Sequence, residues 1–330
     1  MGVGSQFILG FHGATVPLWL RRFASQFGLG GVVLFDYDCQ SKTYDNNIQA
    51  PAQLRALCSE IHALPGRPLI FIDQEGGKVR RLKDSRGFRL LPSAKALGAM
   101  SSDERLPLLT AACEEMSDLG IDFDLAPVVD LDINPNSPGL GAAERCISAD
   151  PETVHGLVAD FADAARVAGL MLCLKHYPGL GSARVDSHLD LTVIDVPSAD
   201  QLALFYDLAP VVPGDAILVS HAIVPSWDKD RPVCMSPVAL DPLRERLPDT
   251  LLISDDMQMQ GLLKARSLPE ACGDALAAGL DMLIIGGNIS RISPEELASL
   301  ATDLERRLTT DRAFAETLRI AERRVNARKP

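Results

Sequence analysis

The strongest constraint on this chain's fold is a regular alternation of short apolar runs with amphipathic stretches, sustained from end to end. The runs are FILGF (7–11), GVVLF (31–35), PLIFID (68–73), IDFDLAPVVD (121–130), LMLCLKH (170–176), AILVSH (216–221), TLLISDD (250–256) and DMLIIGG (281–287). Each is strand-length, and most are rich in β-branched residues. They are continuously apolar rather than alternating, the pattern of strands buried on both faces of a parallel arrangement. Helix signals fill the intervals. Leu54, Leu57, Cys58 and Ile61 recur at helical spacing after Pro51. Ser101 to Glu104 reads as a capping box before a helix ending near Gly120, and Ser293-Pro294-Glu295-Glu296 repeats the pattern. Asp150 caps a segment that has Pro151 at its first helical position and Gly169 at its end. The stretch from Asp311 reads as helical and charged. Eight strands separated by helices predict an α/β fold, a (β/α)8 barrel of the TIM type, with an open doubly wound sheet as the main rival. No linker, low-complexity segment or short-period repeat interrupts the pattern, so residues 1–330 are read as one domain.

Composition narrows the function classes. The hydrophobic fraction of 47% over 330 residues supplies a sizeable core, and 23% charged residues is ordinary for a globular chain. The net charge of −12, without a basic stripe, argues against nucleic acid and against anionic membranes as partners. The seven cysteines are scattered and form no CxxC pair, which suggests neither a disulfide framework nor a zinc site and fits a reducing compartment. The start, MGVGSQFILGFHG, has no basic n-region and no long apolar stretch, and Gln6 stands where a myristoylation signal places Ser or Thr. No segment approaches the roughly 20 apolar residues of a membrane span. The expectation is a soluble cytoplasmic protein.

In a barrel, active-site residues gather at the C-terminal ends of the strands. Polar residues stand there repeatedly: Asp73 after PLIFI, Asp130 after DLAPVV, Lys175-His176 after LMLCL, His221 after AILVS, and Asp255-Asp256 after TLLIS. One aspartate after a strand is usually a turn former or helix cap. Five such strand ends together describe a pocket for a polar ligand, and carboxylates beside Lys and His suit sugar hydroxyls, which both donate and accept hydrogen bonds. The segment KHYPGLGSARVDSHLD, with its glycines and prolines, is a loop that carries Asp186 two residues from His188. An aspartate so placed can hydrogen-bond the imidazole, fix its tautomer and raise its pKa, as a general acid/base requires. A solvated surface loop accounts for the same residues.

IDQEGGKVRRL (72–82), KHYPGLG…DSH (175–188) and LLISDDMQMQG (251–261) together resemble glycoside hydrolase family 3, specifically its single-domain β-N-acetylglucosaminidase branch. There the motifs approximate (V/I)DQEGGRVxR, KHFPGHG…DSH and SDD(L/M)xM. Weaker likeness runs through FILGF, FRLLPSAKALG (88–98), LGIDFDLAPVVDL (119–131) and ALAAGLDMLI (275–284), so essentially the whole chain is covered. The resemblance implies a retaining mechanism with a covalent glycosyl-enzyme intermediate and no metal or organic cofactor. Asp255 falls on the nucleophile position and His188 on the general acid/base, with Asp186 as its orienting partner. Asp73, Lys175 and His176 fall on positions that hold the terminal sugar, and Arg145 in AAERCISADP is the counterpart of a sugar-binding arginine in the family's RSFGxDP stretch. Asp130 and His221 lie at matching strand ends, with a less defined role in substrate binding. Asp256 is read as structural. The branch acts on cell-wall muropeptides, which implies peptidoglycan recycling as the context and a small N-acetylglucosamine-containing saccharide as the partner. Monomer is the family-like default.

The chain departs from the pattern at Leu180, where the family has the His of PGHG, and at Lys78, which replaces an Arg and loses bidentate geometry. NPNSPGLGAAERCISADP (134–151) departs most. Three other readings remain open. A phosphorylase would use the same nucleophile and dyad with phosphate in place of water. A catalytically silent sugar-binding barrel would keep the fold alone. A β-glucosidase is the third, although related glucosidases carry a second domain that supplies the acid/base.

Overall fold

The computed structural model describes residues 2–137, 139–183, 192–264 and 266–329. Eight parallel strands close into a barrel: β1 (Phe7–Leu9), β2 (Gly31–Val33), β3 (Leu69–Ile72), β4 (Phe123–Asp124), β5 (Met171–Tyr177), β6 (Ala216–Val219), β7 (Leu251–Asp256) and β8 (Met282–Ile285). Neighbours in sequence are neighbours in space, and β8 pairs with β1 to close the ring. Each strand is followed by one long helix: α1 (Leu18–Phe27), α2 (Pro51–His62), α3 (Ser102–Leu119), α4 (Pro151–Ala168), α5 (Ala199–Leu208), α6 (Pro237–Arg246), α7 (Leu268–Ala277) and α8 (Pro294–Thr310), with α9 (Arg312–Asn326) added at the end. This is the (β/α)8 barrel that the strand spacing predicts, not the open sheet.

The continuous apolar runs have a direct cause. Successive side chains alternate between faces. Ile8, Leu69, Phe71, Cys173, Leu251 and Ile253 point into the barrel, where the Phe71 and Phe123 rings stack 5.0 Å apart. Leu9, Ile70, Ile72, Leu174 and Leu252 point outward into the layer beneath the helices. Neither face meets water, so neither face can be polar. The helix caps follow the sequence signals. Ser101 and Ser293 form capping boxes, and Asp150 accepts a hydrogen bond from the Thr153 amide at 3.1 Å. A further box, Ser267 with Glu270, opens α7.

Two features depart from the simple strand-and-helix alternation. Only Phe123–Asp124 of IDFDLAPVVD is regular strand, because Pro127 has no N–H to offer, and Val128 then bridges to Lys175. The DQEGG segment turns back as an antiparallel hairpin, Gln74–Gly76 with Val79–Arg80. Its turn needs glycine: Gly76 has φ +94°, and a Cβ there would lie 2.0 Å from Pro92 O.

The N-terminal end of the barrel is closed. Val325 of α9 packs with the barrel-interior side chains, and Asp281 is fully buried between Arg244 and Arg324 (3.0 Å). Among the described residues, no helix is long and apolar enough to cross a membrane.

Candidate active site

The alternation that builds the core also places the site. Counting by twos from Phe71 leads to Asp73, from Cys173 to Lys175, and from Ile253 to Asp255. All three form the next inward layer at the C-terminal end of β3, β5 and β7. There they line a cavity of about 330 Å³, at the small end of the ligand-pocket range. Its apolar walls include Val33, Leu125, Leu218 and Ile284, and its polar residues include Arg81, Arg145 and His176.

One ionic network organises the polar side. Lys175 Nζ lies 2.8 Å from Asp73 Oδ1 and 2.6 Å from Glu75 Oε1. Arg145 grips Glu75 with two bonds, Nε to Oε2 at 2.7 Å and Nη2 to Oε1 at 2.8 Å, and donates to Gly139 O at 2.8 Å. Arg81 reaches Asp73 Oδ2 at 3.0 Å and lies over the Phe35 ring. Burial by itself pushes the Asp73 carboxyl up, but the charges of Lys175 and Arg81 outweigh it and hold the group well below the usual carboxylate range. Glu75 follows the same logic: burial is overcome by Arg145 and Lys175, bringing it down to about 2. Burial opposes the charge of Lys175, yet Asp73 and Glu75 keep its ammonium above the ordinary value. All these groups are therefore ionised at neutral pH. The Asp73 side chain is 17% exposed while those of Lys175 and Glu75 are 2% exposed, so Asp73 is the carboxylate open to a ligand and Glu75 braces the cations behind it.

His176 and Asp130 form a second unit. Arg145 Nη2 approaches His176 Nε2 at 3.3 Å, and since arginine only donates, Nε2 is the acceptor. His176 Nδ1 then donates to Asp130 Oδ2 at 2.7 Å. Asp130 Oδ1 accepts from the Leu180 amide at 2.8 Å. The bond runs through the backbone, so replacing the family's His at this position leaves it intact, and the Leu180 side chain forms cavity wall instead.

The remaining predicted residues separate. Asp255 lines the cavity, and its Oδ1 accepts the Asp256 amide hydrogen at 2.8 Å. Asp256 Oδ1 accepts from the amides of Gln258 (3.0 Å) and Gly286 (3.3 Å), which ties β7 to β8. His221 is not part of the cavity wall, and both its ring nitrogens contact protein atoms, Cys234 Sγ at 3.1 Å and Asp256 O at 3.0 Å. Asp186 and His188 lie outside the described residues. Glu75 and Arg81 are absent from the expected set although they belong to the network. The signal for Glu75 is its i, i+2 relation to Asp73. For Arg81 it is the Gly76-Gly77 turn, which folds the chain back over the strand end.

Comparison with known proteins identifies the family. The glycosyl hydrolase family 3 N-terminal domain matches residues 20–325. A β-hexosaminidase of Thiobacillus denitrificans is 35% identical over 302 residues, covering 86% of this chain and 78% of its own. A solved β-N-acetylhexosaminidase from Beutenbergia cavernae superposes with a TM-score of 0.83 at 26% identity, covering 98% of this chain and 96% of its own. The family 3 β-N-acetylglucosaminidase from a Paenibacillus species superposes with a TM-score of 0.87 at 25% identity over 99% of this chain, which spans 61% of that longer protein. On the match that runs from residue 20 to residue 325, this chain belongs to glycosyl hydrolase family 3.

Proposed function

We propose that this family 3 glycoside hydrolase is a retaining exo-β-N-acetylhexosaminidase that removes terminal β-linked N-acetylglucosamine. The observation that carries the reading is the inward layer of Asp73, Lys175 and Asp255 around one small cavity at the C-terminal end of the barrel. Asp73, Arg81 and Lys175 offer acceptors and donors to the hydroxyls of one sugar ring, and Arg145 and His176 extend that wall. The curated relatives named β-hexosaminidase support the acetamido sugar as substrate.

In this reading the Asp255 carboxylate attacks the anomeric carbon while the leaving oxygen takes a proton from His188. Water then cleaves the glycosyl ester, giving a proton back to His188 and freeing Asp255. Asp186 orients His188. Support for the dyad comes from the root of its loop, since Leu180 and Ala183, just before it, line the cavity. A muropeptide aglycone, and so a role in peptidoglycan recycling, is the natural context for such an enzyme.

The test is release of nitrophenol from the β-N-acetylglucosaminide and the β-glucoside, with and without phosphate, for wild type and Asp255→Ala. Turnover of the acetamido sugar alone, lost in the variant, is the expected result. Acceleration by phosphate with a sugar phosphate as product would replace hydrolysis by phosphorolysis. No turnover by folded protein would overturn the reading.

A further inference from the structure

We infer that His221 and Cys234 act as a positioning pair for the nucleophile, through the backbone of Asp256; the inference rests on Asp255 being that nucleophile. Neither residue reaches the cavity, yet they connect to its reactive carboxylate in three consecutive hydrogen bonds. Cys234 Sγ lies 3.1 Å from His221 Nδ1, His221 Nε2 lies 3.0 Å from Asp256 O, and the Asp256 amide lies 2.8 Å from Asp255 Oδ1. Asp256 is thus held at both its backbone groups: its carbonyl accepts from the histidine and from the Met259 amide (3.0 Å), and its amide donates to the nucleophile itself.

The direction of each bond follows from the atoms. The Asp256 carbonyl can only accept, so His221 Nε2 carries the hydrogen. In a neutral ring Nδ1 is then a lone pair, and Cys234 must be the donor, through its thiol S–H. Burial keeps both groups in the required state: it pushes the His221 pKa down, against the nearby charge of Asp255, and it pushes the Cys234 thiol up. The chain path accounts for the contact. His221 follows β6 by two residues, and the Val233 amide donates to Ala222 O at 2.8 Å, closing the intervening loop so that Cys234 returns onto the ring.

Removing the thiol frees the tautomer and lets the Asp256 carbonyl lose its histidine donor, leaving only the Met259 amide at 3.0 Å, so the aim of Asp255 is what suffers. Cys234→Ala is expected to lower kcat about tenfold, since misplacement by a fraction of an ångström is costly at a reacting centre. The inhibition constant of free N-acetylglucosamine should stay within about twofold, because the sugar-binding groups are untouched. Cys234→Ser, which restores an O–H donor, should recover most of the rate. A mobile-proton readout that a purely structural role does not move is the 15N spectrum of His221, expected to show the Nε2–H tautomer near neutral pH in the wild type and a mixture in Cys234→Ala.

Asp255→Ala is run alongside. If that variant keeps its activity, the nucleophile assignment fails rather than the pair. If it is inactive while Cys234→Ala matches wild type in kcat, the inference is overturned. Should Cys234→Ala not fold, the wild-type spectrum decides: an Nδ1–H tautomer or an imidazolium near neutral pH overturns it.

Discussion

Lys175 Nζ lies 2.8 Å from Asp73 Oδ1, an ion pair that joins the ends of two barrel strands in the cavity wall. The pair is not self-sufficient. Glu75 takes a second contact from the same ammonium, and Arg145 and Arg81 complete a five-residue network in which no buried charge lacks an opposite charge. Such a network holds its members in one geometry, which is what recognition of a sugar with several stereochemically fixed hydroxyls requires.

Lys175→Met should therefore do two things at once. It leaves Asp73 and Glu75 buried beside each other without their shared cation, which costs about 3–5 kcal/mol in such cases. Urea unfolding should show that loss, and hydrolysis of the N-acetylglucosaminide should fall below detection. A folded variant with wild-type stability would show that the ammonium is dispensable to the network.

Arg145→Lys isolates geometry from charge. A lysine keeps one positive charge but cannot bond both Glu75 oxygens and Gly139 O together. KM should rise roughly tenfold, equivalent to about 1.4 kcal/mol of binding, with a smaller change in kcat. Equal losses in kcat and kcat/KM, with KM unchanged, would instead make this arginine a transition-state contact.

Much of this was legible in the sequence because one physical rule governs it. Strands buried on both faces read as apolar runs, and the polar residue that ends such a run marks the barrel's open end. Asp73, Lys175 and Asp255 follow directly. The rule stops where the chain leaves the strand. Arg81 arrives through the hairpin at Gly76-Gly77, and Glu75 stands on that hairpin beyond the strand end. His221 ends the apolar run AILVSH, which points to substrate binding, yet its ring turns to Cys234 and Asp256, and position at the end of a run does not specify where a side chain points. Arg145, in the stretch that departs most from the family pattern, does reach the cavity, held there by Glu75.

Of the seven cysteines, six are buried and Cys39 is exposed, on the loop after β2 that forms one side of the cavity. Although the residue is exposed, partial desolvation of its sulfur and the negative charges of Asp38 and Asp256 raise the thiol against Arg81 and Arg291, so reaction with maleimide should be slow at neutral pH and accelerate toward alkaline pH. Mass spectrometry should find one label, at Cys39, with loss of glycosidase activity. Cys39→Ser should resist the reagent, and saturating N-acetylglucosamine should slow the labelling of wild type. Labelling without inhibition would place the thiol clear of the substrate's path.

Asp124 offers a test of pH dependence. Its Oδ1 accepts the Gln74 amide at 2.9 Å, so it holds the start of the hairpin that carries Glu75 and Arg81, while Oδ2 is buried with no hydrogen-bond partner among the described residues. Burial is the largest influence, and the negative charges of Asp73 and Glu75 add to it, against the Gln74 amide and Lys175; the carboxyl is pushed up from 3.8 to about 7. Between these values the folded protein holds a proton that the unfolded chain has released. The stability this confers is fully present below about pH 4 and is lost as pH rises to about 7, at about 1.4 kcal/mol per pH unit. Asp124→Asn keeps an acceptor for the Gln74 amide and does not titrate. Its stability relative to wild type should grow over that window and level off above it, measured by urea unfolding at a series of pH values. A difference that stays flat from pH 4 to pH 8 would mean that Asp124 is ionised in the folded protein despite its burial, with the charge of Lys175 outweighing that burial.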